Sequence, residues 1–292
     1  MSQNAPLGIF DSGLGGLTVA REIAQRLPHE SFVYVGDTRR CPYGPRDLSQ
    51  VEQYVREICT FLQDKGVKLI VIACNTATAA GLELMQREFD IPIIGVIEPG
   101  ARAAVRTTRN RKVGVIGTVG TIQSSVYHHA VKALDAGCQV MSVATPSFVD
   151  MVEEGLAFSD EQSSDVTHGL RVPPNFDEIA TDYLGPLQDE EVDTVVLGCT
   201  HYPLLHDPIA EIMGDDVVLV SSAEETARDV SSTLQRRGHE ALEDHIPTYQ
   251  FFTTGDLDRF QMLGSKVFGR PLDSLELLDI DYLESLIDPH KE

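Results

Sequence analysis

Leu69-Ile70-Val71-Ile72-Ala73-Cys74-Asn75-Thr76 is the stretch on which the fold turns. Its first residues are aliphatic and mostly β-branched, with no polar alternation. That pattern belongs to a strand buried on both faces, as in parallel sheets. The run then breaks at a small residue, a cysteine, and short amide and hydroxyl side chains. Val195-Val196-Leu197-Gly198-Cys199-Thr200-His201-Tyr202 repeats the arrangement. In open α/β sheets the chemistry gathers just past the carboxyl ends of the strands. Two thiols placed alike therefore point to a site with one thiol on each side of a substrate.

Outward from these runs, strand and helix patterns alternate. Leu7–Phe10 leads into Asp11-Ser12-Gly13-Leu14-Gly15-Gly16, and Leu17–Leu27 is spaced helically. Phe32–Val35 is a strand, Leu48–Lys65 an amphipathic helix, Thr76–Phe89 another helix. Ile93–Ile97 is a strand stopping at Glu98-Pro99-Gly100. The pattern restarts at Lys112–Ile116, which opens into Gly117-Thr118-Val119-Gly120-Thr121. A helix over Ser124–Leu134, a strand over Val140–Val143 and a helix over Phe176–Leu187 precede the Cys199 strand. Such alternation predicts parallel sheets flanked by helices. The halves correspond: strand-Asp11 then strand-Cys74, strand-Gly117 then strand-Cys199. The second interval is longer, and its surplus fits Phe158–Asn175, rich in Ser, Asp, Glu and Pro. Val217–Val220, a helix over Ala223–Arg237, a strand over Thr248–Thr253 and a helical tail follow. Compactness places them with the first half, which gives 1–99 plus 208–292 and 100–207 as the two units.

Composition narrows the function. With 23 Lys and Arg against 45 Asp and Glu, the net charge is −22. A diffuse acidic surface lacks the clustered cations that nucleic acid or an anionic membrane needs. No run approaches the roughly 18 apolar residues of a membrane span, and the N-terminus has no basic region before an apolar one. The five cysteines are scattered, with no C-x-x-C. That is a reduced, cytoplasmic pattern and not a disulfide or zinc framework.

Cys59 lies on a helix and Cys138 at a helix end, and both read as core. Cys41 sits in the loop Arg39-Arg40-Cys41-Pro42-Tyr43-Gly44 and stays open. Cys74 and Cys199 each precede a turn or helix start, where a helix N-terminus favours thiolate. The Asp-Ser-Gly-Leu-Gly-Gly run lacks the spacing and the lysine of a nucleotide loop. Ser12 and the amides beside it suit a carboxylate. Asp11 reads as a base, as the holder of an amine, or as an N-cap. Asn75, Thr76, Thr118, Thr121 and Thr200 form a neutral hydrogen-bonding set at strand ends. His201 is placed to orient or protonate a group at Cys199. Glu153 reads equally as a solvated helix charge. A two-thiol enzyme acting on a small polar anion and a small-anion binder without catalysis both fit, and retention of both thiols favours the first.

Gly8–Gly16, Pro42-Tyr43-Gly44, Cys74-Asn75-Thr76-Ala77, Gly117–Thr121 and Gly198-Cys199-Thr200-His201-Tyr202-Pro203-Leu204-Leu205 together closely resemble the bacterial glutamate racemase family, over about residues 7–270. The resemblance implies two pseudo-symmetric Rossmann-like α/β subdomains with the active site in the cleft between them. It implies cofactor-independent interconversion of L- and D-glutamate, without pyridoxal phosphate or metal, supplying D-glutamate for peptidoglycan, cell-wall biogenesis and cell shape. Cys74 and Cys199 match the catalytic pair, Cys74 acting on D-glutamate and Cys199 on L-glutamate. Asp11 matches the group assisting Cys74, and Glu153 and His201 those assisting Cys199. Ser12, Tyr43, Gly44, Asn75, Thr76, Thr118, Thr121 and Thr200 match the substrate-binding set. The expected partners are the substrate and a second copy of the chain, as a homodimer. Aspartate racemase, or another cofactor-free amino-acid racemase, is the alternative. The chain departs from the family in its longer, acidic Phe158–Asn175 and in Arg39-Arg40-Cys41 before Pro42.

Overall fold

The computed structural model describes residues 2–158 and 172–287. Of the Phe158–Asn175 segment, 159–171 lie outside the described residues. The chain runs β1 (Leu7–Asp11), α1 (Leu17–Arg26), β2 (Phe32–Gly36), α2 (Leu48–Asp64), β3 (Leu69–Ile72), α3 (Asn75–Glu88), β4 (Ile93–Gly95) and α4 (Ile97–Thr107). It continues through β5 (Lys112–Gly117), α5 (Val119–Gln123), α6 (Val126–Leu134), β6 (Gln139–Ala144), α7 (Ser147–Phe158), α8 (Phe176–Asp189) and β7 (Thr194–Gly198). A 3₁₀ turn (Tyr202–Leu205), α9 (His206–Met213), β8 (Val218–Ser221), α10 (Ser222–Arg237), β9 (Tyr249–Thr253), α11 (Leu257–Phe268), β10 (Leu275–Leu277) and α12 (Ile280–Ser285) complete it.

Two all-parallel sheets result, ordered β10-β9-β2-β1-β3-β4 and β6-β5-β7-β8. The order β2-β1-β3-β4 recurs as β6-β5-β7-β8, which is the duplication the two cysteine runs predict. Strands β1, β2, β3 and β7 are buried along their whole length, so their continuous apolar runs face helices on both sides. Helix α2 buries Val51, Tyr54, Val55, Ile58, Phe61 and Leu62 as one stripe. Each such side chain contributes about 1.5–3 kcal/mol of burial, more than helix propensity supplies. Registers then position the site. Phe10 lies beside Ile72 and Ile116 beside Leu197, so the residues after β1 and β3 emerge together, as do those after β5 and β7.

Four expectations change. Residues 208–292 do not all join the first half: β8 pairs with β7 in the second sheet, as the fourth strand of the repeat. The strand ending near Ile97 stops at Gly95, and α4 runs through Glu98-Pro99-Gly100. Pro99 falls in the first helical turn, where an amide hydrogen has no intrahelical partner to lose. The boundary set at 99/100 thus cuts a helix. Third, the helix over Ser124–Leu134 begins only at Val126, after Ser125 with φ +57°, a left-handed conformation that a helix interior excludes, and the separate short helix α5 precedes it where a polar turn was expected. Last, the tail adds β10, Leu275-Glu276-Leu277, a strand of three residues with two exposed, too short for its alternation to stand out. Among the described residues no helix is long and apolar enough to cross a membrane.

Candidate active site

Cys74 is the N-cap of α3 and Cys199 follows β7 directly. Both are nearly buried, and both line one cavity between the two sheets, with Ser12, Asn75, Thr200 and His201 around them. The cavity measures about 20 Å³, room for roughly one water. A glutamate does not fit the cavity in this conformation. A larger vestibule of about 340 Å³ adjoins it, sharing Cys41, Pro42 and Val149 as walls.

The two thiols are served differently. At Cys74 burial pushes the thiol well up, and the charge of Asp11 adds to that; the Ala77 amide and the Ser12 hydroxyl act against it. The Cys74 Sγ lies 3.7 Å from Ser12 Oγ. Asp11 is wholly buried, accepting from the Gly13 amide (2.9 Å) and from Thr200 Oγ1 (3.3 Å). It therefore ties the Cys74 half to the Cys199 half. Its N-cap reading is excluded, because α1 begins at Leu17.

Cys199 has no α-helix N-terminus beneath it; only the 3₁₀ turn follows. A side-chain relay takes that place. His201 Nδ1 lies 3.8 Å from Cys199 Sγ, and His201 Nε2 lies 3.6 Å from Glu153 Oε1. Burial favours neutral imidazole, yet the Cys199 contact and then the Glu153 carboxylate outweigh it, and the His201 pKa is raised. Glu153 is held below the usual carboxylate range by His201 first, against its partial burial, with Arg259 adding to the effect. Glu153 is thus not a solvated helix charge.

The neutral set divides in two. Thr76, Thr118 and Thr121 form a triangle of hydroxyls at 2.8, 3.1 and 3.3 Å, bridging the halves. Asn75 is buried, its Oδ1 accepting from Tyr127 OH at 2.7 Å, while its Nδ2 has no partner among the described residues. That side-chain N–H pair is the strongest pointer to a polar ligand, since a buried donor left unmatched costs about 1–3 kcal/mol. Gly44 abuts Thr118: an added Cβ would stand 2.7 Å from Thr118 Cβ. The Tyr43 ring lines the cavity, but its hydroxyl donates to Asp37 and not into the site.

The glycine run has a use that spacing did not reveal. A Cβ on Gly15 would lie 2.4 Å from Thr200 Oγ1 and 2.7 Å from His201 Nδ1. The bare backbone lets this loop close on the opposite half.

Sequence patterning missed other groups. Cys41, left open by the sequence, is a cavity wall, its thiol pushed up chiefly by burial. Asp37, Arg40 and Glu57 form a buried ion cluster under the Tyr43 loop, at 2.6 and 2.5 Å from the guanidinium. The adjacent arginines of Arg39-Arg40 were its signal. Arg259 and Tyr127 carried none, being far away in sequence. Among the described residues no group of three or more His, Cys, Asp or Glu could hold a metal ion.

Comparison with known proteins places these residues in context. The pattern of the Asp/Glu/hydantoin racemase family matches residues 17–230. The chain is 45% identical over 262 residues to a glutamate racemase from Oceanobacillus iheyensis, covering 90% of this chain and 91% of that one. A solved glutamate racemase isoform from Bacillus anthracis superposes with a TM-score of 0.86 at 42% identity, over 95% of this chain and 98% of that one. The Francisella tularensis glutamate racemase in complex with D-glutamate gives a TM-score of 0.84 at 30% identity, over 96% and 99%.

Proposed function

The chain belongs to the Asp/Glu/hydantoin racemase family, grouping there with the glutamate racemases, and from that premise we propose that it interconverts L- and D-glutamate by passing the α-proton between Cys74 and Cys199. One observation carries the mechanism: two thiols from corresponding strand ends of a repeated unit converge on one cavity. An α-carbon proton is weakly acidic, and its replacement must arrive on the opposite face. A single base serves one face only, so two are needed, one as thiolate and one as thiol, exchanging roles with direction.

Cys74 takes the proton from D-glutamate and Cys199 from L-glutamate. The substrate ammonium supplies the positive charge that favours thiolate in the closed site. Asp11 orders Ser12-Gly13 beside Cys74, and His201 with Glu153 serves Cys199. The side-chain N–H groups of Asn75 and the hydroxyls of Ser12, Thr76, Thr118, Thr121 and Thr200, with the Tyr43-Gly44 wall, receive the substrate carboxylates. Donors there stabilise the charge that develops as the proton leaves. D-glutamate so made supplies peptidoglycan synthesis in the cytoplasm. We further propose two subdomains, 1–96 with 222–292 and 97–221, and a homodimer, which light scattering at defined concentration would check.

The test is circular dichroism of L-glutamate with the protein, reductant and no added cofactor. Ellipticity decays to zero, and L-aspartate in a parallel cuvette keeps its signal. A flat L-glutamate trace under reducing conditions removes the racemase reading. Decay of aspartate at a comparable rate would instead support the aspartate alternative.

A further inference from the structure

Arg259 stands outside every motif quoted above, yet it ends a line of contacts that leads to a reacting thiol. Its Nη2 lies 3.4 Å from Glu153 Oε2. The other Glu153 oxygen lies 3.6 Å from His201 Nε2, and His201 Nδ1 lies 3.8 Å from Cys199 Sγ. We propose that Arg259 is a positioning residue for proton transfer at Cys199, acting from the opposite half of the molecule by aligning Glu153 on His201. The inference rests on the assignment of Cys199 as one of the two bases.

Three features support it. Arg259 lies on α11, which follows β9 of the first sheet, whereas Glu153 and His201 belong to the second unit. The contact therefore forms across the cleft. Arg259 and Glu153 both line the vestibule that adjoins the cavity, so the contact stands where substrate approaches Cys199. The Asp256 side chain caps α11 by accepting from the Arg259 amide at 2.7 Å, which sets the backbone from which the guanidinium reaches Glu153. An exposed ion pair by itself is worth little. This one joins a carboxylate that is only about a quarter exposed and whose other oxygen stands 3.6 Å from the buried, otherwise unpartnered His201 Nε2, so it selects the carboxylate orientation that faces the imidazole.

The charged groups facing Glu153 come from several elements. His201 approaches from beyond β7 and Arg259 from α11. Cys41 and Arg39 come from the loop after β2, Asp150 from α7 itself, and Asp256 from the start of α11. His201 first holds the Glu153 carboxyl down against its partial burial, and Arg259 is the permanent cation that adds to that effect. Removing it lets the Glu153 carboxylate protonate at higher pH.

The experiment compares wild type with Arg259→Met and Arg259→Lys, each with an unchanged melting temperature. Because the enantiomers have equal energy, kcat/KM must fall by one factor in both directions, about three- to tenfold for R259M. The direction-specific readout is the primary deuterium isotope effect on kcat/KM. With α-deuterated L-glutamate it reports abstraction at Cys199, and with α-deuterated D-glutamate abstraction at Cys74. In R259M the two effects move apart, the acid limb of the pH profile moves to higher pH, and R259K restores both. Isotope effects that move together, an unmoved acid limb, or R259M kinetics equal to wild type overturn the inference. Wild type inactive on L-glutamate overturns the racemase reading along with it.

Discussion

Around the Cys74 sulfur, burial and the Asp11 charge oppose the Ala77 amide and the Ser12 hydroxyl. The balance favours the thiol in the closed site, and in the proposed mechanism the arriving substrate ammonium shifts it toward thiolate. Cys199 relies on His201 and Glu153 instead. The proposed mechanism nonetheless requires both sulfurs for transfer across two faces. Cys74→Ala and Cys199→Ala should each lower kcat by at least about 10²–10⁴-fold, measured as the rate of ellipticity loss, with Ser at either position also severely slow. Substantial turnover in either Ala variant would rule out the two-thiol mechanism. Asn75 acts through the substrate carboxylate and carries no proton itself, so its loss weighs more on binding than on turnover. Its buried, unmatched Nδ2 predicts that Asn75→Ala raises KM about tenfold or more while changing kcat less. Initial rates over a range of glutamate concentrations separate the two; an unchanged KM would remove Asn75 from the carboxylate contact.

Each element meets the site at its carboxyl end or its N-terminus, and glycine decides how closely. The turn from β1 to α1 packs on Thr200-His201 only because Gly15 has no side chain. Gly15→Ala should displace His201 from Cys199 and lower kcat about 10²-fold, with the far-ultraviolet spectrum and melting temperature near those of wild type. Wild-type kcat would show that the loop yields without moving His201. The loop after β2 is held from beneath by Arg40, which joins Asp37 to Glu57 and lies 4.0 Å over the Tyr54 ring. That cluster fixes Tyr43-Gly44 as a wall. The strands, α2 and α3 are legible from periodicity, because one buried face imposes a repeat on the sequence. Helix α4 was hidden by a proline and a glycine that normally end helices, and β10 by its exposure.

For the whole molecule, two duplicated sheets meet at a cleft, and the chain passes between them at α4 and again at α10. Those helices are tied by Arg102–Asp229 at 2.6 Å and Arg106–Glu225 at 2.8 Å. Against such local attractions stands a net charge of −22, which works against compactness. Raising NaCl from about 10 to about 150 mM shortens the screening length from roughly 30 to 8 Å. The melting temperature should therefore rise by a few degrees, about 1–2 kcal/mol for a chain of this size, by scanning calorimetry. A fall would mean that the ion pairs, and not the self-repulsion, dominate.

The sequence by itself determined the α/β class, the repeated unit, and the two cysteines with the polar residues beside them. All of these are local signals: a buried strand must be apolar throughout, and a strand end that carries chemistry must turn polar at once. Only the tertiary structure decided that β8 closes the second sheet, that Cys41 walls the cavity, that Asp11 grips Thr200 across the cleft, and that Arg259 stands behind Glu153. Those contacts join residues distant along the chain, where no periodicity links them, and burial and geometry select the pairs only once the two sheets face each other.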